Sequence, residues 1–163
     1  MCCECGWGEQ IVVIITKAER ADLEQILTLQ HLAYQSEAKL LDDFSIPPLR
    51  QTIEEIEREY EEGLFLKAVD ENGDLLGSVR AYTEQGTTHI GKLIICPEKQ
   101  GQGIGTKLLL AIEEACPAGR YELFTSHKSI RTMGIYERVG YVRFKEQRVS
   151  DKLTLIFLEK YVD

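Results

Sequence analysis

The sequence predicts a mixed α/β domain, with a mostly antiparallel sheet of about seven strands and helices on both faces. The expected element order is β-α-α-β-β-β-α-β-α-β-β. Three observations predict it. Apolar and β-branched runs bounded by turn residues recur along the chain. The Asn72-Gly73 step between two such runs marks an antiparallel hairpin in the first half. Stripes of apolar residues at helical spacing separate the later runs, which calls for crossover helices over a mixed sheet.

Taken in order, residues 1–10 show no pattern and read as a loose tail, leaving a single domain over 11–163. Ile11 to Thr16 is β-branched and predicts a strand. From Ala21, the residues Leu23, Ile26, Leu27, Leu29 and Ala33 fall at helical spacing, and that helix extends toward Leu41. Asp43 to Pro48 reads as a loop, because consecutive prolines oppose helix and ladder bonding. Thr52-Ile-Glu-Glu55 is a capping box, so a second helix runs to about Glu62, where Gly63 stops it.

Strands follow over Leu64 to Val69 and Leu75 to Thr83, joined by a turn in which Asn72 and Gly73 supply positive φ. A tight connection at Gln85-Gly86-Thr87 leads to a strand from His89 to Ile95. Gly103 to Cys116 carries one apolar stripe of Ile104, Leu108, Leu109, Ile112 and Ala115, ended by Pro117 and Gly119. Tyr121 to Thr125 is a short strand. Ser129 to Val139 is a helix ended by Gly140, and Arg143 to Val149 pairs with Leu153 to Lys160 around Ser150-Asp151.

Composition narrows the function classes. At 163 residues, with 44% hydrophobic and 28% charged content, the chain is an ordinary globular domain with a real core. The net charge of -8 and pI near 5.0 argue against a broad nucleic-acid or anionic-membrane surface and fit a cationic acceptor or simple solubility. No apolar run reaches membrane-spanning length, and Ile11 to Ile15 is too short for the core of a signal peptide. The five cysteines lack regular spacing, which predicts reduced thiols and a cytoplasmic location. Cys2, Cys3 and Cys5 offer at most half a zinc site, so no metal is expected.

The chemistry gathers at residues 89–106. An apolar strand runs into a glycine-rich turn, and the turn opens a helix. Free backbone N–H groups and the positive end of a helix dipole then point at one small volume suited to phosphate. Gly101, Gly103 and Gly105 can take positive φ and let a ligand approach the backbone. The dinucleotide fingerprint fails, since its last glycine would be Thr106. The P-loop fails too, since Lys107 precedes Leu108 and follows no glycine.

What remains is Gln100-x-x-Gly103-x-Gly105, directly after an apolar strand and Pro97. This resembles the acyl-CoA signature Q/R-x-x-G-x-G/A of the GNAT N-acetyltransferase superfamily. A second segment, Ser129-Ile-Arg-Thr-Met-Gly-Ile-Tyr136-Glu-Arg-Val-Gly140-Tyr141, resembles that family's N-x-x-A-x-x-L-Y-E-K-L-G-F. Two positions depart from it: Ser129 stands where Asn is usual, and Thr132 where a small apolar residue is usual. The resemblance implies a GNAT-like fold and an enzyme moving the acetyl group of acetyl-CoA to a primary amine of a small molecule or protein, by direct attack in a ternary complex. A non-catalytic acyl-CoA sensor on the same fold is the alternative. The expected partners are that amine acceptor and a second copy of the chain, with no nucleic acid and no membrane.

The resemblance also implies roles. Backbone N–H groups of Gln102, Gly103, Gly105 and Thr106 would hold the pyrophosphate, with Gln100 and Gly101 shaping the turn and Ile104 also among the cofactor-binding residues. Backbone groups of Leu93, Ile94 and Ile95 would bond the pantetheine amides, one N–H facing the thioester oxygen, and Ser129 would lie beside that arm. Tyr136 would donate to the leaving thiolate; a phenol is a weaker acid than a thiol, which favours a hydrogen bond over full proton transfer. His89 stands where many relatives carry a Glu, and is either the base that deprotonates the amine or a half-exposed strand residue. Glu84 is a second carboxylate candidate, while His31 and His127 read as helix surface and loop. The acceptor pocket is expected around Tyr34, Phe44, Ile46, Pro47, Arg80 and Tyr82. An inward Arg80 would suit an acceptor carrying a carboxylate; an outward one would be solvated.

Overall fold

The computed structural model describes residues 12–162. The tail at 1–10 and its cysteines lie outside the described residues. The strands are β1 (Ile14–Lys17), β2 (Leu64–Val69), β3 (Leu75–Glu84), β4 (Thr87–Ile95), β5 (Arg120–Ser126), β6 (Val142–Arg148) and β7 (Thr154–Tyr161). The helices are α1 (Leu23–Leu41), α2 (Pro47–Arg50), α3 (Ile53–Glu62), α4 (Ile104–Ala115) and α5 (Ile130–Val139). They build one seven-stranded sheet of order β1-β2-β3-β4-β5-β7-β6. Every neighbouring pair is antiparallel except β4 and β5. The expected mixed, mostly antiparallel sheet with helices on both faces is therefore present.

Two cores flank the sheet. On one side Ile104, Leu108, Leu109 and Ile112 of α4, with Met133 and Tyr136 of α5, bury against Val79, Ala81 and Ile90. The α4 residues are the stripe expected from helical spacing. On the other side Leu23, Ile26 and Leu29 of α1 and Ile56 of α3 pack on Phe65 and Ile94. Glu113 joins the α4 layer to the far end of the sheet: it accepts from the Tyr141 hydroxyl at 2.7 Å and from Lys160 Nζ at 2.8 Å.

Several local expectations change in detail. Pro47 and Pro48 do not exclude a helix; they occupy the first turn of α2, where their missing N–H groups would have no partner anyway. The Thr52–Glu55 capping box forms in both directions, at 3.2 and 3.0 Å. Gly63 is extended rather than left-handed, and its role is steric: a Cβ there would sit 2.4 Å from the Ala81 carbonyl oxygen. In the β2–β3 turn only Gly73 has positive φ. Asn72 does not need it, because Asp70 Oδ1 accepts from the N–H groups of both Asn72 and Asp74 at 2.9 Å.

Two irregularities of β4 shape the centre of the molecule. Against β3, Ser78 faces Ile94 while Arg80 faces Gly91, so Lys92 and Leu93 together oppose Val79. This is a β-bulge, and Lys92 sits in it with φ of 49°. Against β5, pairing runs only from Thr87–Arg120 to His89–Glu122. Beyond that point β5 continues to Ser126, paired with β7, and β4 continues to Ile95, paired with β3. The two strands diverge, and the β4 edge at Leu93, Ile94 and Ile95 faces no strand on that side.

Candidate active site

A single large cleft of about 1490 Å³ fills this divergence and reaches both faces of the sheet. One arm ends at the glycine turn. Gly101 and Gly103 take φ of 80° and 85°, and a Cβ at either would meet nothing within 4 Å. Among the described residues, the backbone N–H groups of Gln102, Gly103, Ile104, Gly105 and Thr106 find no protein acceptor; the first helical bond of α4 runs from Lys107 to Gly103 at 3.1 Å. Five successive donors at the positive end of a helix are thus without a protein acceptor, beside open space at Gly101 and Gly103, which fits an anionic group held by backbone. Gly105 departs from its expected role. It lies inside α4 without positive φ, and a Cβ there would press on Ile135 Cδ1 at 3.1 Å, so its lack of a side chain serves α4–α5 packing.

Gln100 Oε1 accepts from Arg131 Nη1 at 3.0 Å, which draws a guanidinium to the rim of the turn. Lys99 and Arg138 line the same arm. None of these cations was singled out in the sequence; Arg131, the second residue of α5, is the one that touches the turn. Leu93, Ile94, Ile95, Ile104 and Thr106 all line the cleft, whereas Gln102 contributes no lining surface.

The middle of the cleft holds Tyr136, Tyr34, Ser129 and Glu37. Tyr136 is 5% exposed, and its hydroxyl has no hydrogen-bond partner among the described residues. Burial pushes its pKa well above the ordinary tyrosine range, and the neighbouring Tyr34 and Glu37 add to this. Burial does the same to Tyr34, again reinforced by Glu37 and opposed by Arg80. Glu37, absent from the sequence-based candidates, accepts from Ser129 Oγ at 2.7 Å. Burial raises its carboxyl pKa, and the Ser129 bond works against that rise. Ser129 stands at the N-cap position of α5 yet makes no cap bond with its side chain.

The other arm, on the α1 and α3 face, is where the acceptor residues were expected. Tyr34, Ile46, Pro47, Arg80 and Tyr82 line it. Phe44 does not; it is 55% exposed, because the turn in which Asp43 Oδ1 accepts from the Ser45 N–H leaves it outside the cleft and Ile46 buried. Arg80 is inward, at 6% exposure, but already engaged. Its Nη1 donates to Glu59 at 3.0 Å and its Nη2 to Gln30 at 2.6 Å, and the guanidinium lies 4.5 Å from the Phe65 ring centre. Lys92 lines the same arm and has no hydrogen bond or ion pair among the described residues. Burial lowers its pKa, Arg80 lowers it further, and Glu59 opposes both.

His89 lines the cleft where β4 and β5 are still paired. Its ring stacks on Tyr82, centres 4.8 Å apart, and its Nδ1 is 3.8 Å from Glu122 Oε2. Glu122 is bound more closely by Arg120, at 2.8 Å. Glu84 does not line the cleft. His31 bonds the Gln51 carbonyl at 3.3 Å, and His127 pairs through Nδ1 with the Thr154 backbone at about 3 Å, so both serve structure. Among the described residues, no helix is long and apolar enough to cross a membrane, and no cluster of three or more His, Cys, Asp or Glu side chains is placed to hold a metal.

This sheet, with its parted central strands and anion cradle, defines an acyl-CoA-type transferase scaffold. The sequence profile of the acetyltransferase (GNAT) domain matches residues 29–162, and the chain belongs to that family. Solved structures agree on the fold. The ribosomal-protein-S18-alanine N-acetyltransferase of Escherichia coli superposes with a TM-score of 0.76 at 15% identity, covering 93% of this chain and 95% of that one. The paia N-acetyltransferase of Thermoplasma acidophilum, in complex with coenzyme A, gives 0.74 at 18% identity over 92% and 99%. A GNAT superfamily phosphinothricin acetyltransferase of Sinorhizobium meliloti, in complex with acetyl-CoA, gives 0.72 at 16% over 93% and 89%. No curated protein matches the chain by sequence.

Proposed function

We propose that the protein transfers the acetyl group of acetyl-CoA to a primary amine by direct attack within a ternary complex. The observation that carries the reading is the run of N–H groups from Gln102 to Thr106 without a protein acceptor, at the end of a cleft that continues along the open β4 edge to Tyr136. The pyrophosphate of the donor suits those N–H groups, with Arg131 at the rim. The pantetheine amides suit the backbone of Leu93, Ile94 and Ile95, which no strand covers on the β5 side. An N–H of that edge would face the thioester oxygen, where negative charge grows during attack. Ser129 donates its proton to Glu37, so toward a pantetheine N–H it can act only as an acceptor. Tyr136, held protonated by its burial, would donate a hydrogen bond to the departing thiolate. The opposite arm, between α1, α2 and the β3–β4 face, is left for the amine.

The test is saturable binding of coenzyme A followed by thiol release from acetyl-CoA across a panel of small amines and amine-bearing peptides. Release with at least one amine supports the reading. Saturable binding with no release would assign the chain to the acyl-CoA sensor class instead, and absence of binding would remove both.

A further inference from the structure

Transfer to an amine requires a group that removes a proton from a largely cationic nitrogen. His89, the candidate read from the sequence, sits where β4 and β5 still pair, roughly 10 Å or more along the strand from the open edge at Leu93–Ile95. Its nearest carboxylate is engaged by Arg120. Glu37 is placed differently. It projects from α1 into the middle of the cleft and bonds Ser129 on the opposite wall. It is also close enough to Tyr136 for its charge to oppose ionisation of that phenol.

Two features set this carboxylate apart from an ordinary structural one. Ser129 occupies an N-cap position, where a side-chain cap stabilises the helix, yet its hydroxyl serves Glu37 and not the helix. Only one carboxylate oxygen, Oε1, is so held; Oε2 has no partner among the described residues. One oxygen fixed and one free is the arrangement a positioned base needs.

Resting on the acetyl-transfer reading above, we infer that Glu37 is the catalytic base: its Oε2 takes the proton from the acceptor amine, while Ser129 holds Oε1 and orients the carboxylate. The step balances. One proton passes from the ammonium to Oε2. The freed nitrogen pair forms the C–N bond to the acetyl carbon, and the C–S bond breaks with its electron pair on sulfur. A second nitrogen proton ends on that thiolate, whose charge the Tyr136 hydroxyl has met. The products are an amide and a thiol, and Glu37 returns its proton to solvent through the cleft.

Among the described residues, the groups facing Glu37 give it no direct ion pair. Tyr34 on its own helix and Tyr136 on α5 stay uncharged. From the sheet, Arg80 is matched by Glu59 of α3, and Lys92 lines the arm beyond them. Lys128, before α5, is turned to the Leu40 carbonyl at 3.1 Å. Burial holds the Glu37 pKa above the usual carboxylate range, which brings it closer to that of an amine.

The experiment compares wild type, Glu37→Gln and Ser129→Ala on two nucleophiles: the best strongly basic alkylamine of the panel, and hydroxylamine, which is already unprotonated at neutral pH. For E37Q the expected result is a loss of about 10²–10⁴-fold in kcat/KM with the alkylamine at neutral pH and an acidic limb that moves up to follow the alkylamine's own ionisation. Hydroxylamine should lose less than about tenfold, and coenzyme A affinity should be unchanged. S129A should move the acidic limb upward, because the bond it removes favours the ionised carboxylate. An equal loss with both nucleophiles, or an acidic limb left at its wild-type position in E37Q, overturns the proposal and leaves acetyl transfer standing. If E37Q fails to bind coenzyme A, S129A decides: an unmoved limb overturns the proposal. No thiol release by wild type with any amine overturns the proposal together with the reading beneath it.

Discussion

Arg80 and Glu59 form an ion pair at 3.0 Å across the acceptor arm, with the arginine almost wholly buried and the carboxylate partly open to solvent. The pair explains how a guanidinium sits inside the molecule: Gln30 and Glu59 satisfy Nη2 and Nη1, and Phe65 covers its face. Arg80 Nε is the one buried side-chain polar atom left without a partner among the described residues.

Glu59→Gln should therefore destabilise the fold by about 1–3 kcal/mol, because it leaves a buried cation less well matched than before. The lower part of that range is expected, since the Glu59 side chain is 39% exposed and solvent screens it. Urea unfolding at neutral pH measures it. A double variant with Arg80→Met should recover part of the loss.

The two kinds of glycine in the turn should behave oppositely. Gly103→Ala must hold a Cβ at positive φ, at roughly 1–2 kcal/mol, and in the space before the free N–H groups. Weaker coenzyme A binding is the expected calorimetric result. Gly105→Ala, inside the helix, aims its Cβ at Ile135 and away from that space, so coenzyme A affinity should change little while thermal stability reports the tight contact.

Tyr136→Phe removes a hydrogen bond to a developing anion, worth about 1.5–3 kcal/mol or roughly 10–150-fold in kcat. Because burial places the Tyr136 pKa above the alkaline range, any basic limb in the wild-type profile should persist unshifted in the variant. Unaltered turnover would remove Tyr136 from the chemistry.

Lys92 gives a pH signature in stability. Its folded pKa is depressed, so the folded state binds fewer protons than the unfolded state between the folded pKa and the ordinary lysine value. Stability should rise with pH across that window. Lys92→Met should be more stable than wild type at pH 6, with the gap closing as pH approaches about 10.4. Paired thermal melts at several pH values read it directly; a gap independent of pH would show that the lysine is not held against its charge.

The cradle was legible because glycines, an apolar strand and a helix start dictate it through backbone alone. So were the α4 stripe, the Thr52 cap and Tyr136, each carried by local spacing. Glu37 was not, because its meaning comes from Ser129, 92 residues away, and nothing in the helical pattern of α1 marks it. Lys92 left a trace that could have been used: a charge in the middle of a strand otherwise apolar from Ile90 to Ile95. Phe44 was misplaced because nearness in sequence to Ile46 stood in for direction, and the turn in which Asp43 Oδ1 accepts from the Ser45 N–H leaves Phe44 outside and Ile46 buried. Gly105 was expected to take positive φ, but it is helical and the space beside its Cα is filled by Ile135.

The seam between β4 and β5 is stitched by only three residue pairs, so beyond it the two halves of the sheet are joined by the shared core under α4 and α5 and by whatever lies in the wedge. A pantetheine arm bonded along Leu93–Ile95 would act as mortar there, filling a gap the polypeptide leaves in its own masonry. Rigidity and donor occupancy are then one property. A truncated nucleotide that grips only the glycine turn would bind without stiffening the protein, whereas the full-length thioester would lock both halves together.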